Sequence, residues 1–185
     1  MSPMTEPTIR VGFVGAGNNT RRRHIPGFRA LPGIELVAVA NRTKESGERV
    51  AREFGIARVY EDWRELVRAA DVDAVCIGTW PYMHCAITLA ALARGQHVLC
   101  EARMAMDAAE GRRMLDAARG APHLVSQLVP APHTLEVDAT IHALLAERYV
   151  GEVLAVELQA TQGGFVEPEA PLHWRQDAAL SGLNI

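Results

Sequence analysis

The sequence predicts an α/β fold, a doubly wound parallel sheet followed by an incomplete α/β second domain. Short apolar runs alternate with helical stretches from residue 9 to about residue 126. Those runs are apolar throughout rather than at every second position, as in parallel strands covered on both faces. After residue 134 the rhythm stops, and the next candidate strand has a period of two.

The first strand is read at 9–14, Ile9-Arg-Val-Gly-Phe-Val14, and it breaks into the pair Gly15-x-Gly17. A helix is expected at 20–31, then a strand at 34–40, a helix at 43–54 and a short strand near 57–59. Helix 62–70, strand 72–77, helix 83–94, strand 97–100, helix 107–119 and strand 123–126 complete the alternation. Asp62-x-x-Glu65 and Asp107-x-x-Glu110 have the form of capping boxes, and Gly55, Gly95 and Gly120 stand where helix C-terminal glycines belong.

Leu135 to Tyr149 is again helical in pattern, and Glu152 to Thr161 places Leu154, Val156, Leu158 and Ala160 on one face of an antiparallel strand. Residues 162–185 read as a Gly- and Pro-punctuated loop, and nothing after Gly163 supplies that strand with partners. The expectation is therefore a first domain at 1–125 and the start of a truncated second domain at 126–185.

With 185 residues, 49% hydrophobic and 22% charged, the chain has the composition of an ordinary globular protein large enough for one domain and part of another. A formal net charge of −3 gives no field for nucleic acid, and the one basic cluster is Arg21-Arg22-Arg23. The first eight residues lack a signal-peptide core, and the longest apolar run, Cys85 to Ala93, is too short to span a bilayer. These features point to a cytoplasmic protein without a membrane partner. Cys76, Cys85 and Cys100 lie in apolar segments without CxxC spacing and read as buried free thiols. His123, His133 and His142 have no carboxylate or cysteine at ligand spacing, so no metal site is expected.

A strand ending in Gly15-x-Gly17 lets the backbone turn tightly and present the N–H groups of Asn18, Asn19 and Thr20 at the start of a helix, which suits a dinucleotide pyrophosphate. Thr20 stands where the fingerprint has its third glycine or an alanine. Within the arginine cluster, Arg22 is taken as a phosphate contact, against the plainer reading of three solvated arginines. The second strand ends at Asn41-Arg42, where an acidic residue would hold the ribose 2′-hydroxyl of NAD. An arginine there suits a 2′-phosphate, so NADP is preferred over NAD. Glu35 is nearer the nominal spacing but lies at the wrong end of the strand. The competing reading has Thr43 capping the next helix and Arg42 in water. Thr79, Trp80 and Glu101 close later strands, and in doubly wound sheets such carboxyl ends share one crevice with Gly15 and Asn41.

The stretch Val11-Gly-Phe-Val-Gly-Ala-Gly17 followed by His24-Ile-Pro26 resembles the Gfo/Idh/MocA family of oxidoreductases. So do Ala38-Val-Ala-Asn-Arg42, Asp73-Ala-Val-Cys-Ile-Gly-Thr79 with Pro81-x-x-His84, and Gly95-Gln-His-Val-Leu-Cys-Glu101. His173-Trp174-Arg175 matches more loosely, with no sheet in view to hold it. The resemblance implies an NAD(P)-binding Rossmann domain joined to a C-terminal α/β domain whose open sheet holds substrate and often the oligomer interface. It implies oxidation or reduction of a sugar or cyclitol carbon, homo-oligomers through the C-terminal sheet of a full-length form, a place for His84 beside the nicotinamide, and a positioning role for Glu101.

The family's Glu-Lys-Pro motif stands here as Glu101-Ala102-Arg103. Alanine has no proton to move and arginine is not a proton-transfer group, so Arg103 is a candidate for holding a substrate oxygen or carboxylate. Arg103 and His84 are the catalytic candidates. Loss of the lysine also admits a second reading, a non-catalytic dinucleotide-binding sensor or partner subunit.

Overall fold

A computed structural model describes residues 8–130, 137–157, 159 and 167–182. Its strands are β1 (Ile9–Val14), β2 (Ile34–Ala40), β3 (Arg58–Tyr60), β4 (Ala74–Ile77), β5 (His97–Cys100) and β6 (Ser126–Leu128). They form one six-stranded sheet in the order β3-β2-β1-β4-β5-β6. Every neighbouring pair is parallel. Strand order reverses direction between β1 and β4, and at such a switch point the loops that leave adjacent strands part to form a crevice.

Both faces of the sheet are covered, which explains the unbroken apolar runs. Val11, Phe13, Val39 and Cys76 fill one face together with Ile25, Val50 and Ile56. Val14, Ala38, Ala40, Val75 and Ile77 fill the other with Leu66, Ile87 and Leu92. Each valine, leucine, isoleucine or phenylalanine among them contributes about 1.5–3 kcal/mol by leaving water. Two tethers add polar definition. At the N-terminal edge, Arg10 donates a fork of hydrogen bonds to Asp73 at 2.8 and 2.7 Å, joining β1 to β4. Buried Gln96 donates from Nε2 to the carbonyls of Val67 and Val72 at 3.1 and 2.9 Å.

The helices are α1 (Ile25–Arg29), α2 (Lys44–Phe54), α3 (Trp63–Arg68), α4 (His84–Ala93) and α5 (Ala108–Gly120). The helix expected at 20–31 ends at Arg29 and contains a π turn, Thr20–His24, in which the Ile25 N–H donates to the Thr20 carbonyl. Pro26 accounts for the departure, because it lacks an N–H and its ring would strike the carbonyl four residues back in a regular helix.

Thr43, Asp62 and Asp107 cap α2, α3 and α5, accepting from the N–H groups of Ser46, Arg64 and Glu110. The reciprocal half expected at Asp107 is absent, since Glu110 accepts from the Met106 N–H instead, at 3.1 Å. Gly55 and Gly95 take the left-handed conformation, whereas Gly120 is the last helical residue of α5 and Ala121 follows it as the cap.

Strand β4 is shorter than the expected 72–77, and β6 lies at 126–128 rather than 123–126. Leu124 is drawn against the core, and the Val125 N–H donates to His97 Nδ1 at 2.9 Å, so the ladder of this exposed edge strand starts only at Ser126. Cys76, Cys85 and Cys100 are free and buried, Cys76 on one face of the sheet and the other two on the opposite one. Burial pushes the Cys76 thiol up and that of Cys100 up to about 12.

The chain divides into two compact units, one reaching Val129 and taking back the segment that begins at His173, the other Pro130–Leu172. Within the second unit the helix expected at 135–149 is α6 (Asp138–Ala146), positions 135 and 136 lying outside the described residues. The strand expected at 152–161 is not formed at 152–157 or 159, and positions 158, 160 and 161 lie outside the described residues. Leu154 and Val156 are exposed, and among the described residues no strand pairs with this segment. The loop expected at 162–185 contains a single-turn helix at Trp174–Gln176 and α7 (Ala178–Ser181). Among the described residues no helix is long and apolar enough to cross a membrane.

Candidate dinucleotide site

The turn after β1 is locked to the end of β4. Gly15 has φ +82°, and a Cβ there would stand 2.6 Å from the backbone nitrogen of Thr79. A Cβ on Gly78 would lie 2.6 Å from the Gly15 carbonyl oxygen and well inside contact distance of the Thr20 hydroxyl. Only paired glycines let the two backbones approach this closely. Gly17 differs, since among the described residues beyond its chain neighbours nothing lies within 4 Å of the position its Cβ would take. Thr20 is buried, and its hydroxyl donates to the Gly15 carbonyl at 3.3 Å. Its side chain thus pins the turn from beneath, and it stands in for the missing third glycine by filling the space between turn and helix.

Beside this turn lies a cavity of about 570 Å³ lined by Gly15, Gly17, Asn41, Arg42, Thr79 and Trp80, among others. Of the strand-end residues read from the sequence, Gly15, Asn41, Arg42, Thr79 and Trp80 line this space and Glu101 does not. Asn41 Oδ1 accepts from the Ala16 N–H at 2.7 Å, which ties the end of β2 to the glycine turn. Arg42 is exposed, with its guanidinium 5.4 Å from the centroid of the Trp80 ring. Thr43 does cap α2 and Arg42 is exposed, as in the plainer reading, and the guanidinium in addition rests on an aromatic face.

Sequence reasoning missed the residues that follow β3, namely Glu61, Asp62, Trp63 and Arg64, all of which line the cavity. The same rule about strand carboxyl ends would have found them had it been applied to that three-residue strand. Their charges are engaged: Glu61 pairs with Lys44 at 2.8 Å, and Asp62 accepts from the Arg64 N–H at 2.9 Å.

A second cluster forms at the end of β5. Glu101 Oε1 bonds His24 Nε2 at 2.6 Å and accepts from Asn19 Nδ2, while Oε2 accepts from the Ala102 N–H at 3.1 Å. The His24 bond, then the Asn19 bond, hold the Glu101 carboxyl below the ordinary carboxylate range against the opposing effect of burial. Folding therefore keeps Glu101 ionised to lower pH than the unfolded chain does. The stabilisation is complete above the unfolded carboxyl's pKa of about 4.3 and is lost as pH falls through the lower folded value. Glu101→Gln is accordingly expected to flatten the fall in melting temperature below about pH 4. Thermal melts at a series of acid pH values check this, and parallel profiles for variant and parent would refute it.

His84 is fully buried, its Nδ1 2.8 Å from the Arg103 carbonyl and its Nε2 3.0 Å from the Thr79 carbonyl. Its ring thus spans the loops that leave β4 and β5. Thr79 Oγ1 and Arg103 Nη1 are buried atoms without a hydrogen-bond partner among the described residues. Asn18 and Arg22 are exposed at the start of the helix after the turn, whereas Arg21 is engaged with Glu53 at 2.5 Å.

The residues present fit a dinucleotide. The turn is open above Gly17, and among the described residues a buried hydroxyl at Thr79 lacks a partner and an arginine at the end of β2 has no competing ion pair. Sheet order and glycine turn together define a dinucleotide-binding Rossmann domain.

Residues 9–128 match the family model described as "Oxidoreductase family, NAD-binding Rossmann fold", and the chain belongs to this Gfo/Idh/MocA family. It is 40% identical over 152 residues to 1,5-anhydro-D-fructose reductase of Ensifer adhaerens, covering 80% of this chain and 44% of the relative. With levoglucosan dehydrogenase of Pseudarthrobacter phenanthrenivorans it shares 27% identity over 175 residues, covering 92% of this chain and 44% of that enzyme. A solved 3-ketoreductase from Actinomadura kijaniata, in complex with NADP and TDP-benzene, superposes with a TM-score of 0.64 at 28% identity, over 76% of this chain and 42% of that one. The chain spans about half the length of the curated relatives it matches.

Proposed function

We propose that this chain is the dinucleotide-binding part of an NAD(P)-dependent oxidoreductase acting on a sugar, cyclitol or related carbinol or carbonyl, with NADP preferred over NAD. The observation that carries this is the locked Gly15–Gly78 turn, with Gly17 open above it, at the edge of a cavity of about 570 Å³. Relatives whose names are those of sugar reductases and dehydrogenases favour the enzyme over a sensor.

In this reading the free N–H groups after Gly17, with Asn18 and Arg22 beside them, face the pyrophosphate, and Arg42 faces the 2′-phosphate. Asn41 brings no negative charge to repel that phosphate. The bound nicotinamide supplies or accepts the hydride. Glu101, fixed by His24 and Asn19, orients the ribose side of the crevice. His84 acts as a positioning residue that keeps the Thr79 and Arg103 loops at a set spacing. Arg103, with a guanidinium nitrogen lacking a partner among the described residues, holds a substrate oxygen. Ala102 transfers no proton, so that step falls to groups beyond these loops. Cytoplasmic residence, consistent with three free buried thiols, and self-association through a C-terminal sheet in a full-length form belong to the same reading.

Titration of the purified chain with NADPH and NADH, followed by quenching of Trp63 and Trp80 at the cavity, tests it. Saturable binding, tighter for NADPH, is expected. A folded protein that binds neither nucleotide would overturn the proposal. NADPH oxidation across a panel of keto-sugars then tests the chemistry.

A further inference from the structure

Arg42 is the residue on which the NADP preference rests, yet among the described residues its guanidinium makes no hydrogen bond or ion pair. What it does meet is the Trp80 ring, at 5.4 Å from the centroid. A guanidinium that rests on an aromatic face keeps its in-plane donors available, so such a contact orients the group without consuming the fork that grips a phosphate. The position of Trp80 therefore bears on that grip.

Trp80 also meets a residue from far along the chain. Its ring stacks on Trp174 with centroids 6.1 Å apart and planes inclined by 19°, an offset-stacked geometry. Trp174 itself sits in a built seat. Gln176 Oε1 accepts from the His173 N–H at 2.8 Å, and His173 Nδ1 accepts from the Arg175 N–H at 3.2 Å. The buried Ser181 hydroxyl donates to the Arg175 carbonyl at 3.0 Å, and Gly182 lies against the backbone of Met106. Arg175 covers Trp174 at 4.4 Å. Arg42 and Trp174 thus both meet the Trp80 ring at the rim of the cavity, and Arg175 in turn meets Trp174.

We propose that Trp174 is a specificity-determining positioning residue: by stacking on Trp80 it fixes the ring on which Arg42 rests, and so sets how firmly the site grips a 2′-phosphate. This rests on the reading in which Arg42 faces that phosphate. Removal of Trp174 lowers the discrimination between NADPH and NADH rather than the affinity for both.

Calorimetric titration of the full chain with NADPH and NADH provides the test, because removing a tryptophan alters fluorescence. Trp174→Ala is expected to weaken NADPH roughly three- to tenfold while leaving NADH within about twofold, the scale of one lost aromatic contact to a cation. Trp174→Phe should restore the ratio, and in an Arg42→Ala background the Trp174 change should leave the ratio where Arg42→Ala put it. Equal weakening of both nucleotides, an unchanged ratio, or a further loss of discrimination without Arg42 would each overturn the proposal. Circular dichroism melts confirm that each variant folds. Failure of the parent chain to bind either nucleotide would be seen in the first titration, and would overturn the dinucleotide reading and this one with it.

Discussion

Gly78→Ala is expected to remove about 3 kcal/mol of stability and all measurable NADPH binding, the upper part of the range for forcing a methyl into a closed space. Most buried glycines tolerate a methyl when a flexible side chain can swing aside. Here two of the atoms it meets do not yield: the Gly15 carbonyl oxygen would be 2.6 Å from the new carbon, and the Thr20 hydroxyl lies in a buried side chain. The strand ends would have to part, although Gly78 N–H holds the Val14 carbonyl at 2.8 Å and Gly15 N–H holds that of Ala40 at 2.8 Å. Relief therefore breaks the turn that shapes the crevice. Gly17→Ala is the matched control. Its methyl enters open space, so stability should stay within about 0.5 kcal/mol of the parent, while binding suffers because the methyl occupies room that a pyrophosphate needs. Urea unfolding and calorimetry on the two variants decide the matter. Parental stability for Gly78→Ala would show the two backbones to be less tightly locked, and unimpaired binding by Gly17→Ala would place the phosphates elsewhere.

Arg42→Ala carries the second large effect. A charged hydrogen bond to a phosphate is worth about 1.5–3 kcal/mol, so NADPH affinity should fall roughly 10- to 100-fold. NADH, which has a hydroxyl at that position, should change by less than about twofold. The NADPH preference should also shrink with added salt in the parent and become insensitive to salt in the variant. Equal losses for both nucleotides would assign Arg42 to the shape of the crevice instead of to nucleotide choice.

Much of this was legible in the residues because parallel strands covered on both faces leave a strong trace. Strands 9–14, 34–40 and 97–100 lie where the sequence puts them, each an apolar run with turn chemistry at its end. Gly15, Gly17, Asn41, Arg42, Thr79 and Trp80 were legible for one shared reason, since each closes a strand and the crevice lies at those ends. Weak pattern accounts for the errors. Strand β6 is an exposed edge whose position depends on a bond to the His97 side chain, which no period reveals. The π turn follows from where Pro26 falls relative to the helix start, and the apolar spacing on either side of it looks helical throughout. Residues 61–64 were missed because β3 is too short to announce its end. The stack on Trp174 unites positions on either side of the second compact unit, and nothing local in the sequence couples them.

The three thiols equip the molecule with an internal stopwatch. A thiol-specific reagent present during native incubation can modify only chains that have opened, because closed chains present neither access nor thiolate. Cys76 records exposure of one side of the sheet, Cys85 and Cys100 exposure of the other. Peptide mass spectrometry of a labelling time course would therefore reveal whether the two helical layers detach in a single cooperative event or one after the other. Repeating it with NADPH would show which layer the nucleotide holds down.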